Sequence, residues 1–188
     1  MTFLIAGVLL WSAVHLMKSL APGVRQNMQA AVGTNAHRGI VALLIIVSLG
    51  LIIYGWRHTV PNFVYEPPIW GRHLNLTTMF FAVLLFGAAQ GKSRIRQWIR
   101  HPMLTGMLVW AAGHLAANGD DRSIVLFGGL GLWALISIFT VSRSEGAWIK
   151  PAAKATIGRE VLGLVIAAAV YLALLLAHPW FAGVAVIG

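Results

Sequence analysis

Residues 39–56 read GIVALLIIVSLGLIIYGW, eighteen residues without a charged side chain. The apolar residues form one continuous run and do not recur at amphipathic helical spacing. A run of this length and composition is typical of a helix that crosses the hydrocarbon core of a bilayer. The whole chain is 59% hydrophobic and only 10% charged, whereas soluble domains usually carry about 25% charged residues. The sequence therefore predicts an integral membrane protein.

Working outward from this run, the chain contains six predicted spans, at residues 2–21, 39–56, 73–90, 103–118, 123–141 and 160–177. Lipid offers no hydrogen-bond partners to the backbone, so each span is expected to be helical throughout. The N-terminus lacks the basic region of a signal peptide and its apolar run is full length, so we expect the first span to be retained. The predicted fold class is a single all-α polytopic transmembrane domain over residues 1–188.

Two connecting segments also carry a prediction. KSRIRQWIR at 92–100 alternates basic and apolar residues, which predicts an interfacial helix before the fourth span. NGDDRS at 118–123 is expected to turn the short fourth span tightly into the fifth.

The basic residues are unevenly divided among the loops. Loops one, three and five with their flanks hold eleven of the fourteen Lys and Arg residues: Lys18, Arg25, Arg38, Lys92, Arg94, Arg96, Arg100, Arg143, Lys150, Lys154 and Arg159. Loops two and four hold the other three, Arg57, Arg72 and Arg122. The positive-inside rule then predicts loops one, three and five in the cytoplasm and both termini outside it. The net charge of +9 is explained in this way, and nucleic acid is not needed as a partner.

Several kinds of site are excluded by composition. The chain has no cysteine, which excludes disulfides, thiolate-bound metals and covalently attached c-type haem. The five carboxylates lie in loops or at span ends: Glu66, Asp120, Asp121, Glu145 and Glu160. An intramembrane carboxylate relay for proton pumping and a carboxylate-pair hydrolase are therefore both unsupported.

The seven histidines are the remaining candidates for a functional site. His101 precedes Pro102 and is interpreted mainly as a residue at the start of the fourth helix. His15 and His114 lie inside spans, where a polar side chain is costly without a partner, so both are candidate functional residues. The structural alternative is a hydrogen bond to a neighbouring helix. The other four lie at loops or span ends, which favours an interfacial role: His37, His58, His73 and His178.

The surroundings of the two intramembrane histidines match. Residues 7–16 read GVLLWSAVHL and residues 106–115 read GMLVWAAGHL, identical at six of ten positions, including the Trp and the His. The predicted topology makes the first and fourth spans antiparallel, as an inverted three-plus-three repeat requires, and such repeats place shared sites near the bilayer midplane. Spans two and five, and three and six, show no comparable match.

This pair predicts a haem b site. Two neutral imidazoles across a gap walled by Trp11 and Trp110 suit haem iron, and without cysteine the haem is non-covalent. Zinc is less favoured because only two or three ligands are available where a closed site needs four. The predicted partners of the haem propionates are cations on the cytoplasmic side, Lys18, Arg25, Arg38 and Arg100.

The predicted depths of His15 and His114 in the membrane differ, which makes it difficult for both to bind one iron. His15 lies about 9 Å from the predicted cytoplasmic end and His114 about 20 Å from it. If tilt does not close this gap, His101 becomes the reserve ligand that pairs with His15. His101 and His114 themselves are about 20 Å apart along one helix, too far to share an ion.

RHPMLTGMLVWAAGHLAANGD at 100–120, WSAVHLMKSLAPGVR at 11–25 and EPPIWGRH at 66–73 resemble the NnrU family. That family includes bacterial proteins associated with nitrite and nitric oxide respiration, and the plant and cyanobacterial 15-cis-zeta-carotene isomerase, an integral membrane haem b protein. The resemblance implies that the positions of His15 and His114 are axial ligands in the isomerase branch. Ala111 departs from that branch, which carries Cys there.

Three functions remain open on the sequence. The first is a haem b protein of nitrite and nitric oxide metabolism in a bacterial inner membrane, acting with a respiratory protein partner. The second is a haem-dependent cis–trans isomerase of a lipophilic polyene that enters from the bilayer. The third is a six-helix membrane protein without cofactor, whose histidines are bonded to neighbouring helices.

Overall fold

The computed structural model describes residues 1–151 and 155–186. Lys154, which the sequence predicts in the last cytoplasmic loop, lies outside the described residues. The helices are α1 (Thr2–Leu20), α2 (Pro22–Val32), α3 (Thr34–His58), α4 (Gly71–Gln90), α5 (Pro102–Ala117), α6 (Asp121–Ser123), α7 (Gly129–Glu145) and α8 (Ile157–Ala182). A 3₁₀ helix covers Arg94–Gln97, and a π-helical segment, Ile124–Gly128, joins α6 to α7. The described residues contain no β-strand, only an isolated bridge between Phe63 and Asp120.

The predicted all-α polytopic fold is confirmed. Five helical stretches are long and apolar enough to cross a membrane: α1, α3, α4, α8 and the continuous stretch Asp121–Glu145. The shorter apolar helix α5 corresponds to the predicted fourth span. Each predicted span falls within a few residues of its helix, because a long uncharged run can satisfy its backbone in lipid only as a helix.

One local prediction was wrong. Segment 92–100 forms only a four-residue 3₁₀ turn, because polar contacts hold the chain there. The Glu160 carboxylate accepts hydrogen bonds from the Ser93 hydroxyl and the Arg94 amide, and the Arg94 side chain donates to the Ala155 carbonyl. The fifth span is helical throughout, as predicted, although it includes the π segment.

One helix was not predicted. α2 lies in the first loop, where the polar composition gives no apolar run, and Pro22 occupies its first turn. Proline is favoured at that position because the first amides of a helix have no partner within the helix.

Both termini lie at the same end of the bundle as loops two and four. The N-terminal ammonium donates to the Thr59 hydroxyl at 2.7 Å. The Asp121 carboxylate accepts hydrogen bonds from the amide and the side chain of Asn62. Near the C-terminus, the Trp56 indole donates to the Ala182 carbonyl. This end carries Arg57, Arg72 and Arg122, the three basic residues of loops two and four. The uneven division of basic residues in the sequence therefore corresponds to the two ends of the folded bundle.

The helices pack through small residues. A Cβ at Gly7 would lie 2.8 Å from the backbone nitrogen of Ile52, and one at Gly55 would overlap the backbone of Leu4. These contacts join α1 to α3, and Gly113 makes a similar close approach to α4. Helices in lipid associate by van der Waals packing rather than by the hydrophobic effect, so close backbone approach is what holds them together.

The fifth span lies at the centre of this packing. It contacts both α1 and α5, whereas α8 packs mainly against α4. Contacts of α1 with α7 advance in the same direction along both helices, from Val8–Gly129 to Trp11–Trp133, so the two helices are parallel. In the predicted inverted repeat, the hairpin α5–α7 corresponds to the hairpin α1–α3, and the two helices of each hairpin pack against each other. The packing of α4 on α5 is not matched by equally extensive packing of α8 on α1.

We expect Gly55→Ala to destabilise the protein by about 1–3 kcal/mol, because the added methyl overlaps the Leu4 backbone. Gly50→Ala on the same helix is the matched control, since a Cβ there meets nothing within 4 Å. Thermal melting in detergent should show a lower Tm for the first variant and an unchanged or slightly higher Tm for the second. Equal Tm values would contradict the close approach of α1 and α3.

The absence of cysteine allows the orientation to be tested by labelling single introduced cysteines. Glu66 and Asn27 are exposed at opposite ends of the bundle. In right-side-out vesicles, an impermeant maleimide should label Glu66→Cys and should label Asn27→Cys only after the membrane is permeabilised. The reverse pattern would mean that the positive-inside prediction is wrong for this chain.

Candidate functional site

His15 projects from the same face of α1 as Trp11, one turn earlier. Its Nδ1 lies 2.8 Å from the Trp11 carbonyl, and its ring stacks on the indole with centroids 4.2 Å apart. A carbonyl oxygen only accepts, so Nδ1 carries the proton. The Nε2 lone pair of the neutral ring is therefore free to bind a metal ion.

His114 repeats this arrangement on α5. Its Nδ1 donates to the Trp110 carbonyl at 2.9 Å, and the two ring centroids are 5.1 Å apart. In the described part of the chain, neither His15 nor His114 forms a hydrogen bond through Nε2. The sequence match between residues 7–16 and 106–115 thus corresponds to the same local geometry, with the same ring nitrogen available.

The fifth span contributes an aromatic ring to each histidine. Trp133 contacts both Trp11 and His15, with centroids 5.8 Å and 5.2 Å away. Phe127 stacks on His114 with centroids 4.3 Å apart and an interplanar angle of 18°. The two Trp–His pairs therefore both contact the same continuous helical stretch, Asp121–Glu145.

The two pairs do not touch each other directly among the described residues, and they lie at different depths. Phe127 and Trp133 are six residues apart, which is about 9 Å along the axis of a helix. The depth difference expected from the sequence is thus retained in the bundle.

Phe127 and Trp133 were missed in the sequence analysis. Both are buried, with 4% and 8% of their surface exposed, but aromatic residues in an apolar span give no periodic signal. Phe127 belongs to the π segment, which changes the direction of side chains relative to a regular α-helix. Segments of this kind occur frequently at functional sites.

Asp120 holds the start of the fifth span. Its carboxylate accepts hydrogen bonds from the Ser123 amide at 2.9 Å and from the Ser123 hydroxyl at 2.6 Å. The neighbouring Arg122 guanidinium lies 3.9 Å from the Trp56 ring centroid and donates to the Trp56 carbonyl. These contacts anchor the end of the span immediately before the π segment.

Polar contacts also hold the last turn of α5, which carries His114. The Tyr65 hydroxyl is bonded to the carbonyls of Leu115 and Asn118, and the Asn118 amide donates to the His114 carbonyl at 2.8 Å. Burial, and secondarily the negative charge of Asp120, raise the pKa of Tyr65. The phenol therefore remains a donor at neutral pH.

Two buried donors near His15 have no acceptor in the described part of the protein. They are the indole nitrogens of Trp11 and Trp133, whose rings are in contact. Buried polar groups are rarely left unpaired, because each costs about 1–3 kcal/mol. A bound molecule with an acceptor atom beside His15 would satisfy them.

The available side chains suit a metal ion that receives most of its ligands from a cofactor. Among the described residues, no group of three or more His, Cys, Asp or Glu side chains is placed to hold an ion. An ion bound by protein side chains alone is therefore poorly supported. Haem supplies the equatorial ligands of its iron and takes axial imidazole and apolar walls from the protein, which His15, His114 and their aromatic neighbours can provide.

His101 lies immediately before α5, as predicted, but its ring is engaged elsewhere. Its Nε2 lies 2.8 Å from the Ser142 hydroxyl. Ser142 is nine residues beyond Trp133, about 14 Å along the helix, so the structure does not bring His101 to His15. Burial lowers the pKa of His101, Glu145 opposes this shift and Arg100 adds to it.

The cations predicted to bind propionates lie at the end of the bundle nearer His15. Arg100 pairs with Glu145 at 3.4 Å, which partly occupies its guanidinium. Arg25 is half-buried in α2, and Arg38 and Lys18 are exposed. The cations surround this end of the bundle without forming a closed pocket.

Comparison with known proteins identifies the family. The family model described as NnrU protein matches residues 3–186, so the chain belongs to this family. Neither the curated proteins nor the solved structures searched contain a match to the chain.

The stacking of Phe127 on His114 can be tested by truncation. We expect Phe127→Ala to destabilise the protein by about 3–5 kcal/mol, because it leaves a cavity among buried rings. Phe139→Ala is the control on the same helix, since Phe139 is 68% exposed. Thermal melts in detergent should separate the two variants clearly, and similar Tm values would contradict the central position of Phe127.

Proposed function

Because the chain is a multi-pass membrane member of the NnrU family, we propose that it binds one non-covalent haem b through His15 and His114. We further propose that it serves nitrite and nitric oxide metabolism in a bacterial inner membrane, with both termini outside the cytoplasm. The observation that carries this proposal is the matched geometry of the two histidines. Each has Nδ1 committed to the carbonyl one turn back and Nε2 unengaged within the described protein.

The surrounding residues have separate roles in this proposal. Trp11 and Trp110 hold the imidazole rings through their carbonyls and wall the cofactor with their indoles. Trp133 and Phe127 support the two histidines from the fifth span. Arg25, Arg38 and Arg100 at the predicted cytoplasmic end are the cations available to propionates. The haem would supply one-electron exchange or the binding of a diatomic gas at iron.

Ligation by both histidines requires α1 and α5 to bring rings at different depths to one centre. The π segment is the least regular part of the helix that supports both rings, and its Phe127 stacks on His114. The hydrogen bonds at Nδ1 keep each ring in the tautomer that ligation needs. A histidine that ligates iron commonly has its second nitrogen bonded to a carbonyl or carboxylate in this way.

The alternative function uses the same haem site. A haem-dependent isomerase of a lipophilic polyene such as 15-cis-zeta-carotene needs, in addition, one labile histidine and access from the bilayer. His15 and His114 are half-buried rather than fully buried, which is compatible with such access. An electron-transfer or sensing role needs instead a respiratory protein partner.

The haem proposal is tested by absorption spectroscopy of the detergent-purified protein. Reduced-minus-oxidised spectra and a pyridine haemochrome assay should show haem b in the wild type. His15→Ala and His114→Ala should each lose the haem or change its spectrum, because one axial nitrogen is removed. Imidazole added to His114→Gly should restore the spectrum if the side chain acts as a ligand.

His58→Ala is the matched control for these variants. Its Nδ1 also bonds to the carbonyl one turn back, and its ring stacks on Tyr54 with centroids 4.1 Å apart, but the side chain is exposed at the end of α3. We expect its spectrum to equal that of the wild type. A wild type that stays colourless after haem supplementation would overturn the proposal and return both histidines to a structural role.

If haem is bound, two further measurements separate the functions. A spectral shift on exposure to nitric oxide, without conversion of zeta-carotene, would support the nitrogen-oxide role. Conversion of 15-cis-zeta-carotene by the reduced protein would establish the isomerase instead.

A further inference from the structure

A groove of about 760 Å³ separates α4 from α8 on the outer surface of the bundle. Its walls are almost entirely apolar and include Phe86 and Gly87 on α4 and Gly163 and Ile166 on α8. None of the residues that line it belongs to the two Trp–His pairs. It is therefore distinct from the candidate haem site and does not depend on haem binding.

Two sets of hydrogen bonds join α4 and α8 along the groove. At one end, Glu160 on α8 accepts hydrogen bonds from Ser93 and the Arg94 amide, in the segment that follows α4. Further along α8, the Tyr171 hydroxyl donates to the Leu76 carbonyl at 3.1 Å. Within the groove itself, a Cβ placed at Gly87 or Gly163 would meet nothing within 4 Å. The groove is thus held open by contacts that do not fill it.

Only one end of the groove is polar. Lys92 and Arg159 line that end together with Gln90, Ser93 and Glu160. Both Glu160 oxygens are occupied by hydrogen bonds from the preceding loop. In the described part of the chain, neither Lys92 nor Arg159 forms an ion pair. Because the Glu160 carboxylate keeps its negative charge, Lys92 and Arg159 give the mouth of the groove a net charge of +1.

The length of the groove matches a membrane lipid. Arg159 and Leu174 both line it, and fifteen helical residues span about 22 Å. A bilayer core is about 30 Å thick, so the groove extends from the interface past the midplane. Its cationic mouth lies at the end of the bundle that carries ten of the thirteen Lys and Arg residues that the structure describes. Positive loops predict that end to be cytoplasmic, where anionic lipids attract basic pockets between helices.

We propose that this groove is a binding site for one anionic phospholipid. Lys92 and Arg159 bind its phosphate, and an acyl chain lies between α4 and α8 over Gly87 and Gly163. The charge at the mouth favours an anionic lipid over a neutral isoprenoid or a second copy of this apolar helix surface.

The test measures lipid stabilisation of the full chain. Protein delipidated in mild detergent is titrated with phosphatidylglycerol or with phosphatidylcholine, and the Tm and the number of bound lipids are recorded by thermal melting and native mass spectrometry. The wild type should retain one phosphatidylglycerol and gain Tm with it, and should gain little with phosphatidylcholine.

Two kinds of variant separate the headgroup from the acyl chain. Lys92→Gln with Arg159→Gln should weaken phosphatidylglycerol binding by roughly tenfold or more, because two phosphate partners are lost. Gly163→Leu should abolish binding by filling the groove, while its Tm without lipid stays near that of the wild type, since the added side chain enters open space. The controls are Arg57→Gln with Arg72→Gln at the opposite end, and Gly50→Leu on α3, where a Cβ also meets nothing within 4 Å.

Three outcomes would overturn the proposal. If both groove variants bind phosphatidylglycerol like the controls, the lipid is held nonspecifically around the bundle. If phosphatidylcholine stabilises the protein equally, the occupant is not selected by charge. If the wild type is a dimer in detergent and Gly163→Leu makes it a monomer, the groove is covered by a second copy of the chain.

Discussion

Hydrocarbon offers no hydrogen-bond partner to a peptide group, and most of this structure follows from that constraint. Every apolar run must satisfy its own backbone, so the runs form helices, and the polar side chains that link segments gather at the two ends of the bundle. Between the ends, the helices are held by close approach at Gly7 and Gly55, where an added side chain would meet the facing backbone, and at Gly113, where it would meet side chains of α4. Such contacts are effective in lipid because association there depends on packing.

The same constraint shapes the candidate site. A histidine inside a span must find a partner, and His15 and His114 both find one in the carbonyl one turn back. That bond satisfies Nδ1 and leaves Nε2 as the only unbonded nitrogen of each ring. The hydrogen bond that allows each imidazole to be buried therefore also selects the tautomer that can bind a metal. The unpaired indole donors of Trp11 and Trp133 add a second reason to expect a bound molecule beside His15.

The fifth span connects these features. It contacts α1 through Trp133 and α5 through Phe127, and its first turn is anchored by Asp120. The π segment between that anchor and α7 carries Phe127. The ring of Phe127 stacks on His114, so the irregular part of the span contacts a candidate ligand. α8, by contrast, packs mainly against α4 and leaves between them a groove with one cationic end.

The sequence by itself determined the membrane class, the approximate bounds of the apolar helices, and the choice of His15 and His114 as candidates. These follow from runs of uncharged residues and from the cost of a polar group in lipid, and neither depends on which helices are neighbours. It could not show α2, whose polar residues give no apolar run, or the failure of 92–100 to form a helix, which depends on Glu160 and Ala155 far along the chain.

Only the tertiary structure decided what surrounds each histidine. Phe127 and Trp133 reach them from another helix, and Phe127 belongs to a π segment that no periodicity reveals. The bond from His101 to Ser142 likewise joins residues 41 positions apart. Hydropathy and spacing report whether a residue lies in lipid and on which face of its own helix. Which faces meet is decided by where small residues allow two backbones to approach.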